Sequence, residues 1–96
     1  MSTRSTQKEV ASLLREVRQL IDVRTNQEAF SYINNIKDSY AKRLKFYGFG
    51  GVQVSPYRHG CWTVSALGEG GRWVSVGVSA ESLIDSPKEV IRKMLV

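Results

Sequence analysis

The chain has 96 residues, room for one domain around one core. With 42% hydrophobic and 24% charged residues it lies outside the disordered class, and it holds no apolar run of the roughly 18–20 residues that span a bilayer. The net charge of +5 and an isoelectric point near 9.7 favour an acidic partner, most often nucleic acid. The polar start, Met1 to Gln7, leads into an amphipathic stretch without the apolar core of a signal peptide. The one cysteine, Cys61, allows no internal disulfide. The expectation is an intracellular, reducing and cytoplasmic setting, with residues 1–96 as a single compact domain and residues 1–5 frayed.

In chain order, Thr6-Gln7-Lys8-Glu9 reads as a capping box, with Thr6 as N-cap. Val10, Leu13, Leu14, Val17, Leu20 and Ile21 then lay one stripe along a helix. A break is expected at Asp22-Val23-Arg24, followed by a second capping box at Thr25-Asn26-Gln27-Glu28. Phe30, Ile33, Ile36 or Tyr40, Leu44 and Tyr47 continue a second helical stripe, which Gly48, Gly50 and Gly51 stop near Phe46 or Tyr47. Two helices so connected predict a helical hairpin.

The period then changes from helical to two. Val52 and Val54, then Trp62, Val64 and Ala66, then Val74, Val76 and Val78 alternate with small or polar residues, as half-buried strands do. Turn formers separate them, at residues 56–60 and 68–71. Short connections predict an antiparallel three-stranded meander. Ser86-Pro87-Lys88-Glu89 opens a last helix, with Val90, Ile91, Met94 and Leu95 as its buried stripe. Residues 80–85 read as a turn of helix or a bridging loop. The fold class is α+β in the order ααβββα: helical hairpin, three-stranded antiparallel meander, C-terminal helix.

The catalytic inventory is thin. His59 and Cys61 stand two apart, yet His59 falls in a turn and no third orienting group is signalled. Zinc needs about four ligands at definite spacings, and a second Cys or His pair is absent. Gly48-Phe49-Gly50-Gly51 leads out of a helix into a strand, the reverse of a phosphate-binding loop. No enzymatic activity, cofactor, metal or membrane is expected.

Charge is unevenly placed. Residues 37–58 carry Lys37, Lys42, Arg43, Lys45 and Arg58 against Asp38 alone, net +4, while residues 59–96 carry four charges of each sign. Cations in the last turn of a helix also answer its dipole, by about 0.3–1 kcal/mol each, without any ligand. The cluster is interleaved with Tyr40, Phe46, Tyr47 and Phe49. Tyr57-Arg58-His59 occupies an expected hairpin tip, and Arg72-Trp73 begins the next strand. If Val74, Val76 and Val78 face the helices, Trp73 falls on the opposite face, with Ser75, Thr63 and Ser65. A large aromatic among small hydroxyls and beside arginine suits base stacking; packing at the rim of the sheet is the duller account.

Residues 25–96 resemble the double-stranded RNA-binding domain in element order. Pro56, His59, Trp62 and Val64 are similar to that family's proline–histidine–aromatic pattern before and within the second core strand. The resemblance implies a small-residue, lysine-rich segment between the third strand and the last helix; here residues 79–85 bring two acidic residues, and only Lys88 follows. The order is also similar to the sheet-plus-helix domain of some integrases and plant-type factors, whose sheet reads the major groove and for which Arg58, Arg72 and Trp73 would be suited. Both likenesses are of element order rather than of motif.

The leading expectation is a small non-enzymatic nucleic-acid-binding protein, for DNA or RNA. Lys42, Arg43, Lys45, Arg58 and Arg72 would contact phosphates, Tyr57 and Trp73 would pack on bases or sugars, and Lys37 and His59 would complete the surface. The competing expectation is a protein-binding adaptor or inhibitor that docks on an acidic surface, with the aromatics as anchors and the cations steering association. The helical hairpin could also offer a surface for a homodimer.

Overall fold

A computed structural model describes residues 7–17 and 20–96, apart from the side chains of Gln7, Lys8, Leu20 and Ile21. The elements are helices α1 (Gln7–Glu16), α2 (Leu20–Thr25) and α3 (Gln27–Lys45), strands β1 (Gly50–Arg58), β2 (Cys61–Leu67) and β3 (Trp73–Ser79), and helices α4 (Ala80–Asp85) and α5 (Pro87–Leu95). The expected order holds: helices, a three-stranded antiparallel sheet in the order β1-β2-β3, then the C-terminal helix. The Thr6 cap and the frayed residues 1–5 lie outside the described residues.

The first helix differs in detail from its expectation. The apolar stripe runs unbroken from Val10 to Ile21, but α1 ends at Glu16 and α2 begins at Leu20. Asp22, Val23 and Arg24, expected as a break, are helical, and Val23 is buried. The break comes later. Thr25 is the last residue of α2, still helical, and its hydroxyl donates to the Asp22 carbonyl at 3.1 Å. Asn26 caps instead, extended at φ −108° and ψ 104°, with its side chain accepting from the Ala29 N–H at 3.0 Å. The buried stripe of α3 is Ala29, Ile33, Tyr40 and Leu44, whereas Phe30 and Tyr47, expected inside, are exposed.

The end of α3 follows from Gly48. Its φ of +85° is a left-handed value that only glycine adopts cheaply. It lets the Gly48 N–H reach the Lys45 carbonyl at 3.1 Å and the Phe49 N–H reach the Leu44 carbonyl at 3.1 Å, the paired bonds of a Schellman stop. Phe49 then folds back against the core, and the chain enters β1.

Strand β1 reaches further than the turn residues suggest. Pro56, Tyr57 and Arg58 belong to it, leaving a tight turn at His59-Gly60. The proline is tolerated because β1 is an edge strand. Its register on β2 shifts twice, between Gly50 and Gln53 and between Pro56 and Arg58. In β2 the alternation is strict: Trp62, Val64 and Ala66 are buried and Cys61, Thr63, Ser65 and Leu67 half-buried. Helix α3 lies against β1, and α4 and α5 lie against β3, so the helices cover one face. The Trp62 indole N–H donates to the Leu14 carbonyl at 3.2 Å and fastens α1 over the sheet. Among the described residues no helix covers the other face, where Trp73, Ser75, Gly77 and Ser79 are exposed.

Residues 80–85 are α4, capped by the Ser79 hydroxyl, which accepts from the Ser82 N–H at 3.1 Å. Ser86 stands at the N-cap of α5 but makes no capping bond; Pro87 starts that helix. Helix α4 therefore fills the place where the RNA-binding resemblance implies a lysine-rich segment. Among the described residues every buried side-chain nitrogen and oxygen has a partner, and no helix is long and apolar enough to cross a membrane.

Candidate functional site

The basic residues of α3 do not form one patch. Successive helical residues turn by about 100°. Lys42 and Arg43, with Phe46 and Tyr47 beyond them, turn toward α5. Lys45 stands three residues after Lys42, about 60° round the helix from it, and is outside the groove lining, and Lys37 lies about two turns before Lys45. Tyr40, counted among the interleaved aromatics, leaves the surface altogether: it is 1% exposed, and burial pushes its phenol up to about 12.

Helix α5 supplies the opposite wall. Lys88, Ile91, Arg92 and Leu95 follow the one-face spacing of a helix and look across at the end of α3. Together the two helices enclose a groove of about 520 Å³. Buried Ile91 forms its floor, and Phe46 (90% exposed), Tyr47 and Leu95 its apolar sides. Lys42, Arg43, Lys88 and Arg92 stand around the rim, and no carboxylate lines it. Among the described residues Arg92 is the one rim cation with an ion-pair partner, Glu89 at 3.3 Å one turn back; both side chains are exposed. Sequence reasoning missed Lys88 and Arg92. Their spacing of four, with Ile91 between them, is the signal that could have found them.

The uncovered sheet face holds the other candidates. Trp73 is 51% exposed. It pairs with Leu67, and its ring crosses β2 to reach β1: a Cβ built on Gly51 would meet the Trp73 Cη2 at 3.6 Å. Beyond the ring the face is small and hydroxylated, with Ser65 and Ser75 hydrogen-bonded at 2.7 Å. Arg72 stands at the start of the strand, exposed. At the opposite end, the second register shift sets Tyr57 and Arg58 side by side. The guanidinium lies 4.8 Å from the Tyr57 ring centroid and donates to its hydroxyl at 3.2 Å; that bond raises the Arg58 pKa.

The expected contact residues are thus split, and Lys37 and Lys45 fall outside the groove lining. Arg72 and Trp73 share the end of the sheet where α3 stops. Tyr57, Arg58 and the exposed His59 sit at the other end, about 17–20 Å away along the strands. Lys42 and Arg43 face the groove, on the helical side. Cys61 is half-buried, and no group of three or more His, Cys, Asp or Glu among the described residues could hold a metal ion.

No protein family model matches the chain, and neither a curated protein nor a solved structure does.

Proposed function

We propose that this chain is a non-enzymatic nucleic-acid-binding protein, and that it takes single strands on the uncovered face of its sheet. The observation that carries the reading is Trp73: a half-exposed indole on a face without a covering layer, beside Arg72 and ahead of small hydroxyls. An indole so placed offers a base its flat side, and stacking of this kind contributes about 1–3 kcal/mol per base. Tyr57, backed by Arg58, supplies a second aromatic about 17–20 Å along the strands. Other nucleic-acid-binding sheets stack two or three bases on exposed aromatics. Arg58 and Arg72 meet the phosphates at the two ends. A duplex is the weaker ligand, because its bases are already stacked on one another.

Fluorescence anisotropy with labelled oligo-dT and oligo-rU, beside a duplex of equal length, tests this. The single strands bind with a log–log salt slope of about 0.7 per phosphate contact, and Trp73→Ala weakens them about tenfold or more. A flat titration against all three probes would sink the proposal. Tight binding that ignores Trp73 would move the site elsewhere.

A second reading, an acidic protein partner, is favoured by a different observation, the groove between α3 and α5.

A further inference from the structure

We propose that the groove between the end of α3 and α5 is a docking site for an acidic amphipathic helix of a protein partner. The groove joins two properties that seldom coincide on a binding surface for nucleic acid. Its floor and sides are apolar, and two of the four apolar side chains, Ile91 and Leu95, are aliphatic and offer nothing for a base to stack on. Its rim is wholly cationic: Lys42 and Arg43 on one side, Lys88 and Arg92 on the other. Lys42, Arg43 and Lys88 form no ion pair among the described residues.

Dimensions and charge select the occupant. Lys88 to Leu95 spans about two helical turns, roughly 10 Å, so the groove accepts two turns of a helix laid along it. Such a helix would insert apolar residues at i, i+3 or i+4, and i+7, the pattern that helix-in-groove recognition uses. Carboxylates on both flanks of that stripe would meet the two cationic rims. A second copy of this chain is disfavoured, since two such rims would face each other with like charge. A bilayer would meet the same exposed Phe46, and the vesicle control separates it from the peptide. Phe46 is the anchor candidate: it stands 90% exposed at the mouth, where a monomer gains nothing from it.

This inference does not rest on the oligonucleotide reading, because the groove lies on the helical side and Trp73 on the other. The probe is a labelled synthetic helix of about 14 residues, with leucines at i, i+3, i+7 and i+10 and glutamates on the flanks. Controls are the same composition scrambled, a version with lysine for glutamate, oligo-dT, and vesicles of phosphatidylserine and phosphatidylcholine. The amphipathic acidic peptide is expected to bind saturably, with Phe46→Ala and the pair Lys42→Glu with Lys88→Glu each weakening it about tenfold or more. A charge-matched pair outside the groove, Arg24→Glu with Lys93→Glu, keeps wild-type affinity. The proposal is overturned if the scrambled peptide binds equally well, if the charge-matched pair matters as much as the rim pair, or if no saturable binding occurs. It is equally overturned if oligo-dT or the vesicles, rather than the peptide, lose binding on Phe46→Ala. Circular dichroism of each variant separates loss of the site from loss of the fold.

Discussion

The hydroxyl of Tyr40 donates a 2.7 Å hydrogen bond to the backbone carbonyl of Leu83, joining the middle of α3 to α4 through the core. The chain explains why that carbonyl is free to accept. Its helical partner would be the N–H four residues on, and that residue is Pro87, which has none. The phenol supplies the donor that the proline withholds.

Tyr40→Phe should therefore destabilise the fold by about 1–3 kcal/mol, because it strands a buried carbonyl while removing little volume. Urea unfolding followed by circular dichroism measures it. A change within a few tenths of a kcal/mol would mean that water replaces the hydroxyl.

The same phenol gives a pH dependence. Burial raises its pKa from 10.0 to about 12 in the folded chain. Between those values the unfolded chain has released the proton and the folded chain still holds it, so stability falls as pH rises. The contribution is complete below pH 10.0 and is lost as pH climbs through about 12. The test is a difference, in which ionisations common to both chains cancel. Wild type should lose more stability than Tyr40→Phe above about pH 10, and parallel curves would contradict the assignment.

The two tryptophans should separate cleanly in fluorescence. Trp62 is 0% exposed and bonded to Leu14, whereas Trp73 is 51% exposed on the open face. Trp62→Phe leaves a red-shifted emission that iodide quenches readily; Trp73→Phe leaves a blue-shifted, protected one. Trp62→Phe also costs about 2 kcal/mol, from lost volume and the lost indole bond to the Leu14 carbonyl. Arg15→Ala, which removes the exposed ion pair with Glu81, costs under about 1 kcal/mol.

Glycine substitutions at the start of β1 should differ between neighbours. Gly51 has φ +63° and lies under the Trp73 ring. An alanine there has room, at 3.6 Å from its nearest neighbours, but must hold a left-handed backbone, at a cost of about 1–2 kcal/mol. Gly50 has no positive φ and open space around it, so Gly50→Ala stays within about 0.5 kcal/mol of wild type. Thermal melts of the two variants check the contrast.

How much of this could be read from the residues depends on whether the controlling interaction is local. The strands were legible because alternation places Trp62, Val64 and Ala66 on one face whatever packs there, and it put Trp73 on the other. The stop at Gly48 was legible for the same reason. The α1–α2 division was not, since the apolar stripe from Val10 to Ile21 passes through it unchanged. Thr25 and Asn26 are both good caps, and the role fell to Asn26 because Thr25 is still helical, the last residue of α2, whereas Asn26 takes the extended backbone of an N-cap. The groove was hidden by the way charge was summed. Over residues 59–96 the cations and carboxylates cancel, so Lys88 and Arg92 vanish into the total. Only folding sorts them, turning both toward the end of α3 while the lining excludes every carboxylate.

The strand order β1-β2-β3 has a kinetic consequence. Strands that are neighbours in sequence and in space close short loops and assemble quickly. Helix α1 meets α4 only across about 65 residues, a closure whose entropy must be overcome before any contact rewards it. Its docking therefore belongs to the late side of the folding barrier. Leu14→Ala should hasten unfolding while leaving the folding rate nearly unchanged, so the lifetime of the native state hangs on α1 and the speed of its assembly on the meander.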